Sequence, residues 1–181
     1  MLEYIIIGMA LNDPLTGYDI KKYIENGISV FYKASFGSLY PALKKLTEKG
    51  YLTMTEQQQG NRQKKFYQAT EEGKIIFDEW LALPVDLNDT TESRLVKIYF
   101  FDNLSSETRD RQLREYELNN VNYLRKLELL EKQFDEMPNK DDFYFKLSTL
   151  YYGIRIIQEN IEWCKHLQEH KPLKDFIGRK I

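Results

Sequence analysis

The sequence predicts a mainly helical protein with an N-terminal winged helix-turn-helix domain and an all-helical C-terminal domain. Three observations lead to this prediction. Three short segments of helical periodicity occupy residues 1–50 and are separated by turn residues. Two segments of alternating side-chain type follow, joined by a Gly-Asn pair that suits a tight hairpin turn. Beyond Pro84 every segment is helical, and two of them place apolar residues in steps of three and four.

Composition limits the classes of function that the chain can have. With 181 residues, 42% of them apolar, the chain can form one large domain or two small ones. The net charge of −2 means that binding to nucleic acid would require a local basic patch. The single cysteine, Cys164, excludes an intrachain disulfide and suits a reducing compartment. The apolar run at residues 4–11 is too short to span a membrane and lacks a basic flank, so we expect a cytoplasmic protein without a membrane partner.

Turn and cap residues set the predicted element boundaries. Thr16 and Asp19 have the spacing of a capping box, and Thr70 can cap a later helix. The third helix begins at Ser35 or at Ser38, and the pattern does not decide between them. We predict a domain boundary at Leu83, which gives domains 1–83 and 84–181. The predicted N-terminal elements are helices over 3–11, 18–26, 35 or 38 to 49, and 71–83, with strands over 51–57 and 64–70.

The third helix has two contrasting faces. Leu39, Leu43 and Leu46 share one face, which we expect to be buried. Small, hydroxyl and basic residues occupy the rest: Gly37, Ser38, Tyr40, Pro41, Lys44 and Lys45. Such a face suits base edges at its start and phosphates one turn later, although a solvated surface helix is the alternative. The hairpin favours nucleic acid, because it adds Arg62, Lys64 and Lys65 with few acids nearby.

The C-terminal half predicts a long helical hairpin. Helices are expected over 91–101, 105–136 and 143–164, and the last two carry a seven-residue apolar repeat. Their stripes are longer than the hairpin needs, so we expect a second copy of the chain as partner; packing on the chain's own N-terminal domain is the alternative. The predicted dimerisation residues are Leu113, Tyr116, Leu127, Leu130, Leu150, Ile154, Ile157 and Ile161. Asn120 lies at a core-type position, where it either fixes the register or is hydrated, the second being preferred.

Enzymatic motifs are missing from the sequence. It contains no glycine-rich phosphate loop and no evident Ser, His and acid arrangement, so we expect neither an enzyme nor a cofactor. His166 and His170 have the spacing of a metal-binding pair, but further ligands are lacking and no metal is predicted. Cys164 occupies a position in the apolar repeat, which predicts a buried, unreactive thiol.

Three stretches resemble the PadR family of bacterial transcriptional regulators: LTGYDIKKYIE at 15–25, GSLYPALKKLTEKGYL at 37–52 and KKFYQATEEGK at 64–74. The C-terminal half is similar to that of the larger subfamily, which resembles a virulence-gene activator. The resemblance implies a homodimer that binds an inverted-repeat operator in double-stranded DNA, usually as a repressor, with the C-terminal helices building the dimer. The alternatives are an activator of the same fold and a winged helix that binds a protein partner without binding DNA. By position, the implied DNA contacts are Ser35, Gly37, Ser38, Tyr40, Pro41, Lys44, Arg62, Lys64 and Lys65. Tyr18 and Lys22 are further candidates for phosphate contacts, with a core position as the alternative for Tyr18.

Aromatic residues form a second group of candidates. The sequence favours the hydrophobic core for most of them, but a cavity between the domains that binds a planar effector is the alternative. The family includes regulators released by phenolic acids, so the resemblance implies a small aromatic effector. The candidate residues are Phe31, Tyr32, Trp80, Tyr99, Tyr152 and Trp163.

Overall fold

A computed structural model describes residues 1–33, 35–59 and 62–178, without the side chains of Phe36, Gln59, Arg62 and Lys140. Backbone contacts divide the chain into two compact units. Unit 1 comprises Met1–Leu83 and Asn88–Ser105, and unit 2 comprises Pro84–Leu87 and Ser106–Ile181. The domain boundary at Leu83 stays a prediction. Across the described ranges, no helix combines the length and the apolar character needed to cross a membrane.

Unit 1 contains five α-helices and three strands in its described residues. The helices are α1 (Leu2–Met9), α2 (Gly17–Asn26), α3 (Phe36–Glu48), α4 (Glu71–Ala82) and α5 (Thr91–Tyr99). The strands are β1 (Leu15–Thr16), β2 (Leu52–Gln59) and β3 (Arg62–Ala69). Single 3-10 turns occur at Ile28–Val30 and Phe101–Asn103. The predicted helix, helix, helix, hairpin, helix order is confirmed.

The sheet is antiparallel with strand order β1-β3-β2. The hairpin pairs Leu52 with Ala69 and keeps its register along both strands, as predicted; the predicted Gly60-Asn61 turn lies outside the described residues. Strand β1 was not predicted, because two residues are too few to show alternation. It pairs Thr16 with Phe66 and so attaches the base of the hairpin to the start of α2.

The capping box predicted at Thr16 is present. The Thr16 hydroxyl accepts a hydrogen bond from the Asp19 backbone N–H at 3.1 Å, and the Thr16 N–H donates to the Asp19 carboxylate at 3.0 Å. Two of the N–H groups that a helix start leaves without partners are thereby satisfied. Because Thr16 also pairs with β3, the same residue fixes both the beginning of α2 and its distance from the sheet.

The hairpin is joined to α4 by close backbone packing. The Thr70 hydroxyl caps α4 by accepting from the Gly73 N–H at 3.0 Å, as predicted, and it donates to the Gly50 carbonyl at 2.6 Å. Gly50 has φ +77°, a conformation that glycine adopts without strain. A Cβ on Gly73 would lie 2.1 Å from the Tyr51 carbonyl oxygen, so only glycine fits there.

Isoleucine, leucine and phenylalanine side chains form the core of unit 1. Leu39, Leu43 and Leu46 are buried, which confirms the predicted inner face of α3. Helices α1 and α4 approach closely at Gly8, where a Cβ would lie 2.6 Å from the Phe77 ring. The other large, fully buried side chains include Ile5, Ile6, Ile7, Ile20, Ile24, Phe77 and Leu81.

Unit 2 is built on an antiparallel hairpin of two long helices, α6 (Ser106–Asp135) and α7 (Tyr144–Gln168), followed by the short helix α8 (Leu173–Phe176). Glu117 on α6 accepts a hydrogen bond from Gln168 on α7 at 2.8 Å. Towards the other end of the hairpin, Leu127 packs near Gly153. The predicted helical C-terminal hairpin is therefore confirmed.

A pair of asparagines crosses the hairpin. Asn120 is 0% exposed, donates to the Tyr116 carbonyl at 2.7 Å and accepts from the Asn160 amide at 3.3 Å. The preferred expectation of a hydrated Asn120 was wrong, because these two bonds replace water. The pair disfavours a shift of α7 along α6, since a shifted hairpin would break the bond between the Asn160 amide and the oxygen of the buried Asn120 side chain.

Candidate nucleic-acid interface

The beginning of α3 is set by Ser35. Ser35 is the N-cap residue, and its carbonyl accepts from the Ser38 N–H at 2.9 Å and from the Ser38 hydroxyl at 2.6 Å. Pro41 therefore lies inside the helix and cannot donate to the Gly37 carbonyl. Of the two starts that the sequence left open, the structure has the one at Ser35.

Gly37 lies on the exposed side of this helix start. A Cβ added there would meet only the Ser35 hydroxyl, at an ordinary contact distance of 3.7 Å. Nothing in the described fold requires glycine at this position, and glycine lowers helix stability relative to alanine by about 1 kcal/mol. Because Gly37 has no side chain, the backbone at the exposed end of α3 is open to close approach by another molecule.

A cleft of about 450 Å3 brings three elements together. It is formed by the beginning of α2, by Tyr40 on α3 and by the hairpin of β2 and β3, here called the wing. Sequence reasoning did not identify Gly17 or Tyr67, because their contribution depends on the unpredicted strand β1. The lining residues are Thr16, Gly17, Tyr18, Asp19, Tyr40, Lys64, Lys65 and Tyr67.

Tyr18 lies on the surface rather than in the core. Its side chain is 58% exposed, so the core alternative was wrong. The ammonium group of Lys22 lies 5.1 Å from the centre of its ring, within the range of a cation–π contact. Tyr18 and Lys22 thus extend the basic, hydroxyl-bearing surface from the cleft along α2.

The predicted lysines differ in their partners. Lys44 and Lys65 each form an exposed ion pair at 3.7 Å, with Glu48 and Glu56 respectively. Exposed pairs of this kind contribute little and exchange readily. Lys45 instead donates to Glu3 on α1 at 2.7 Å, and this hydrogen bond lowers the pKa of Glu3. Lys45 is therefore the most firmly held of these cations, although its side chain keeps partial exposure.

One acid lies among these basic groups. Asp19 has a lowered pKa, chiefly because the Thr16 side chain donates a hydrogen bond to its carboxylate, with the nearby charges of Lys64 and Lys22 adding to the effect. Asp19 therefore stays ionised and offsets part of the positive charge around the cleft. The predicted wing residue Arg62 begins β3, but its side chain lies outside the described residues.

The candidate effector residues fall in both units. In unit 1, Tyr4 stacks on Trp80 with ring centres 4.6 Å apart, and Phe31 contacts Tyr99 at 6.4 Å. Tyr32 is half-buried, and its burial raises its pKa. In unit 2, Tyr152 is exposed and Trp163 is half-buried. An aromatic effector remains a prediction from the sequence.

His166 and Cys164 are both buried in the interior of the chain. His166 is buried, with Nε2 2.9 Å from the Pro172 carbonyl oxygen, and its ring contacts Phe176. Cys164 is fully buried, and burial raises its pKa to about 12, which fits the predicted unreactive thiol. Among the side chains that the structure describes, no three His, Cys, Asp or Glu residues cluster as metal ligands.

Most predicted dimerisation residues are covered within a single chain. Buried positions are Leu113, Tyr116, Leu150, Ile154, Ile157 and Ile161, while Leu127 is half-buried and Leu130 is exposed. The six buried side chains therefore form interior surface of the chain and cannot present a free face to a second copy. Helix α7 carries another apolar stripe on its opposite side, here called the outer stripe. It consists of Tyr144, Phe145, Tyr151, Tyr152 and Ile156, all of which are exposed.

A three-helix core, a wing attached to the second helix and an exposed third helix define a winged helix-turn-helix protein. The chain matches the model of the transcriptional regulator PadR-like family over residues 6–79 and that of the virulence activator alpha C-terminal domain over residues 92–170. The chain therefore contains a PadR-like transcriptional regulator domain followed by a virulence activator alpha C-terminal domain. Regulators of the PadR family bind DNA and are not enzymes.

The chain is similar to a named regulator and to solved structures of that regulator. The chain is 34% identical over 109 residues to the negative transcriptional regulator PadR of Bacillus subtilis, a match that covers 59% of this chain and 60% of the relative's length. Crystal structures of B. subtilis PadR with operator DNA and with p-coumaric acid are each 26% identical to the chain. They cover 93% of this chain and 98% and 97% of theirs, with TM-scores of 0.47 and 0.43.

Lys97, a buried lysine beside Trp80 in unit 1, should make the stability of the protein depend on pH. Lys97 is 6% exposed, with its ammonium 5.7 Å from the centre of the Trp80 ring, and burial lowers its pKa from 10.5 to about 8 despite the opposing charge of Asp89. Between these pH values the unfolded chain binds more protons than the folded one. The contribution of Lys97 to stability should therefore rise with pH from about 8 to 10.5, by at most about 1.4 kcal/mol per pH unit.

The matching experiment compares denaturant unfolding of the wild type and Lys97→Met at several pH values. The difference between the two proteins isolates Lys97 from Cys164 and the tyrosines, which also titrate in alkali. We expect the wild type to gain stability relative to Lys97→Met above pH 8. A difference that does not vary with pH would contradict the lowered pKa.

Proposed function

We propose that the protein is a homodimeric, sequence-specific DNA-binding regulator that represses transcription from an inverted-repeat operator. The observation that carries the proposal is the shared cleft, where hydroxyl and ammonium groups from α2, α3 and the wing converge. Phosphate recognition uses just such groups, while bases are read from an element that can enter the major groove. A DNA-binding regulator would act in the cytoplasm.

In this proposal α3 lies in the major groove with its N-terminal end nearest the bases. The bare surface at Gly37 permits close approach, and the exposed hydroxyls of Ser38 and Tyr40 serve as hydrogen-bonding groups. The wing lysines contact phosphates beside the half-site. Two copies related by a two-fold axis would read half-sites about 34–36 Å apart, or a multiple of that distance.

The proposed dimer uses the outer stripe of α7. Its apolar side chains are uncovered in a single chain; Tyr152, for example, is 70% exposed. Aromatic residues exposed in this way are typical of protein–protein interfaces, and a two-fold dimer buries the same surface on both copies. An inverted-repeat operator requires that symmetry.

Repression is favoured by the name of the similar B. subtilis protein, a negative transcriptional regulator. Activation is the second candidate, because residues 92–170 match a C-terminal domain named after a virulence activator. A reporter gene placed behind the protein's own upstream DNA separates the two. Deleting the protein should raise expression under the repressor proposal and lower it under the activator alternative.

The role of the wing is tested by salt dependence. Lys64→Ala should weaken binding to all DNA sequences alike and reduce the slope of log affinity against log salt by about 1, because one phosphate contact is lost. A mobility-shift or anisotropy titration between low and moderate salt, with the DNA upstream of the gene, measures this slope.

The matched control is Lys126→Ala, which removes an exposed lysine on α6 and should leave the salt slope unchanged. An unchanged slope in Lys64→Ala would show that the wing does not contact DNA. If the wild type forms no salt-sensitive complex, DNA binding is refuted.

Replacing Gly37 with alanine should have opposite effects on the stability of the protein and on its affinity for DNA. Gly37→Ala has room for its methyl group and should stabilise the free protein by up to about 1 kcal/mol. The same methyl group would obstruct close approach to the groove, so the affinity for operator DNA should fall. Thermal unfolding and DNA titration measure the two effects.

The control for Gly37 is Gly153→Ala, in α7, where a Cβ would lie 4.0 Å from Leu127. That variant should leave DNA affinity unchanged. If Gly37→Ala binds DNA as tightly as the wild type, the start of α3 does not approach the bases.

The outer stripe is tested by introducing charge. Tyr152→Asp should convert a dimer to a monomer, because an aspartate buried in an apolar interface has no partner there. Sedimentation velocity at micromolar concentration measures the mass. Ile75→Asp, at an exposed position on α4, is the control and should remain dimeric. A dimeric Tyr152→Asp would place the interface elsewhere, and a monomeric wild type would refute the dimer.

A further inference from the structure

Gly17, the first residue of α2, lies against the ring of Tyr40, next to its Cε1 atom. A Cβ added to Gly17 would come within 2.9 Å of the Tyr40 Cε1 atom and 3.5 Å of its Cζ atom. It would also lie 3.3 Å from a methyl group of Leu43. The first distance is shorter than side chains tolerate, so Gly17 and the Tyr40 ring occupy adjoining space only because Gly17 has no side chain.

The backbone of Gly17 does not itself require glycine. Its φ lies outside the left-handed region, and helix positions normally favour alanine over glycine. Gly17 is also buried, whereas Tyr40 is 59% exposed. The ring therefore rests with one side on the bare Cα of Gly17 and keeps its remaining surface towards solvent and the cleft.

Tyr67 on β3 completes the surroundings of this ring. Burial raises the pKa of Tyr67, and the nearby phenol of Tyr40 adds to the effect. Both tyrosines line the cleft together with Lys64 and Lys65. The Tyr40 ring thus lies against Gly17 and lines the cleft together with Tyr67 and the wing lysines.

The geometry points to Gly17 as a positioning residue for DNA recognition. By leaving space for the Tyr40 ring, Gly17 holds the phenol in the cleft, where it binds DNA together with the wing lysines. This inference rests on the proposed DNA-binding function. Gly17 does not touch DNA and acts entirely through Tyr40.

A double-mutant cycle tests the inference, using the full-length protein and the DNA upstream of its gene. Gly17→Ala should weaken binding about tenfold, the change expected when one hydrogen bond to a charged group is lost. Tyr40→Ala should weaken binding to a similar extent. In Gly17→Ala/Tyr40→Ala the second substitution should add nothing to the first, because the residue through which Gly17 acts is missing.

The same four proteins are compared by thermal unfolding. Gly17→Ala should lower the melting temperature in the presence of Tyr40, and deleting the ring should relieve most of that loss. Losses of binding that are additive in the double variant would overturn the inference, as would unchanged binding by Gly17→Ala.

A variant that fails to fold also tests the contact between Gly17 and Tyr40. If Gly17→Ala does not fold and the double variant does, the ring is the cause, which supports the contact. If neither folds, the clash is not with Tyr40 and the inference is overturned. Failure of the wild type to bind DNA would refute the proposed function, whereas the unfolding cycle still reports separately on the contact of Gly17 with Tyr40.

Discussion

The arrangement of the candidate interface depends on the backbone pairing of Thr16 with Phe66. This short contact joins the beginning of α2 to the middle strand of the sheet, while the Thr16 side chain caps the helix that follows. Other backbone bonds, such as the one from the Ala69 N–H to the Ala10 carbonyl, hold the base of the wing, but the Thr16 pairing is the one that joins it to the beginning of α2. Two hydrogen-bonding roles in one residue thus help to place the wing lysines beside the cleft.

Electrostatics explains how a protein of net charge −2 can present a basic face. Most of its acids lie outside the segment that forms α3 and the wing. Of the two acids within that segment, Glu48 and Glu56, each is paired with a lysine of the face through an exposed contact. Such contacts are weak in water, so a polyanion with many phosphates can replace them at little cost. Asp19 differs, because hydrogen bonds from the Thr16 N–H and hydroxyl hold its carboxylate beside the basic face.

The sequence predicted the order of elements, the caps at Thr16 and Thr70 and the inner face of α3, because each depends on local spacing. It did not predict β1, and therefore missed Gly17 and Tyr67, whose roles arise only when the sheet meets α2. The apolar repeat located α6 and α7 correctly, and six of the eight residues predicted to form the dimer are already buried within a single chain. Periodicity identifies an apolar face without specifying what covers it. Asn120 was misjudged for a related reason, since its partner Asn160 lies 40 positions away in the sequence.

The amide pair inside the α6–α7 hairpin has a consequence for partner choice. Because Asn120 and Asn160 meet at only one alignment of the two helices, α7 cannot slide to suit whatever approaches it. The rings of the outer stripe all lie on α7, so the amide pair sets their position along α6 while the helix itself sets their spacing. A partner must match that position and spacing, which an identical chain does by symmetry and a paralogue with a different alignment would not. In the proposed dimer, an interior polar contact would thus contribute to self-recognition at a distance from the surface that is recognised.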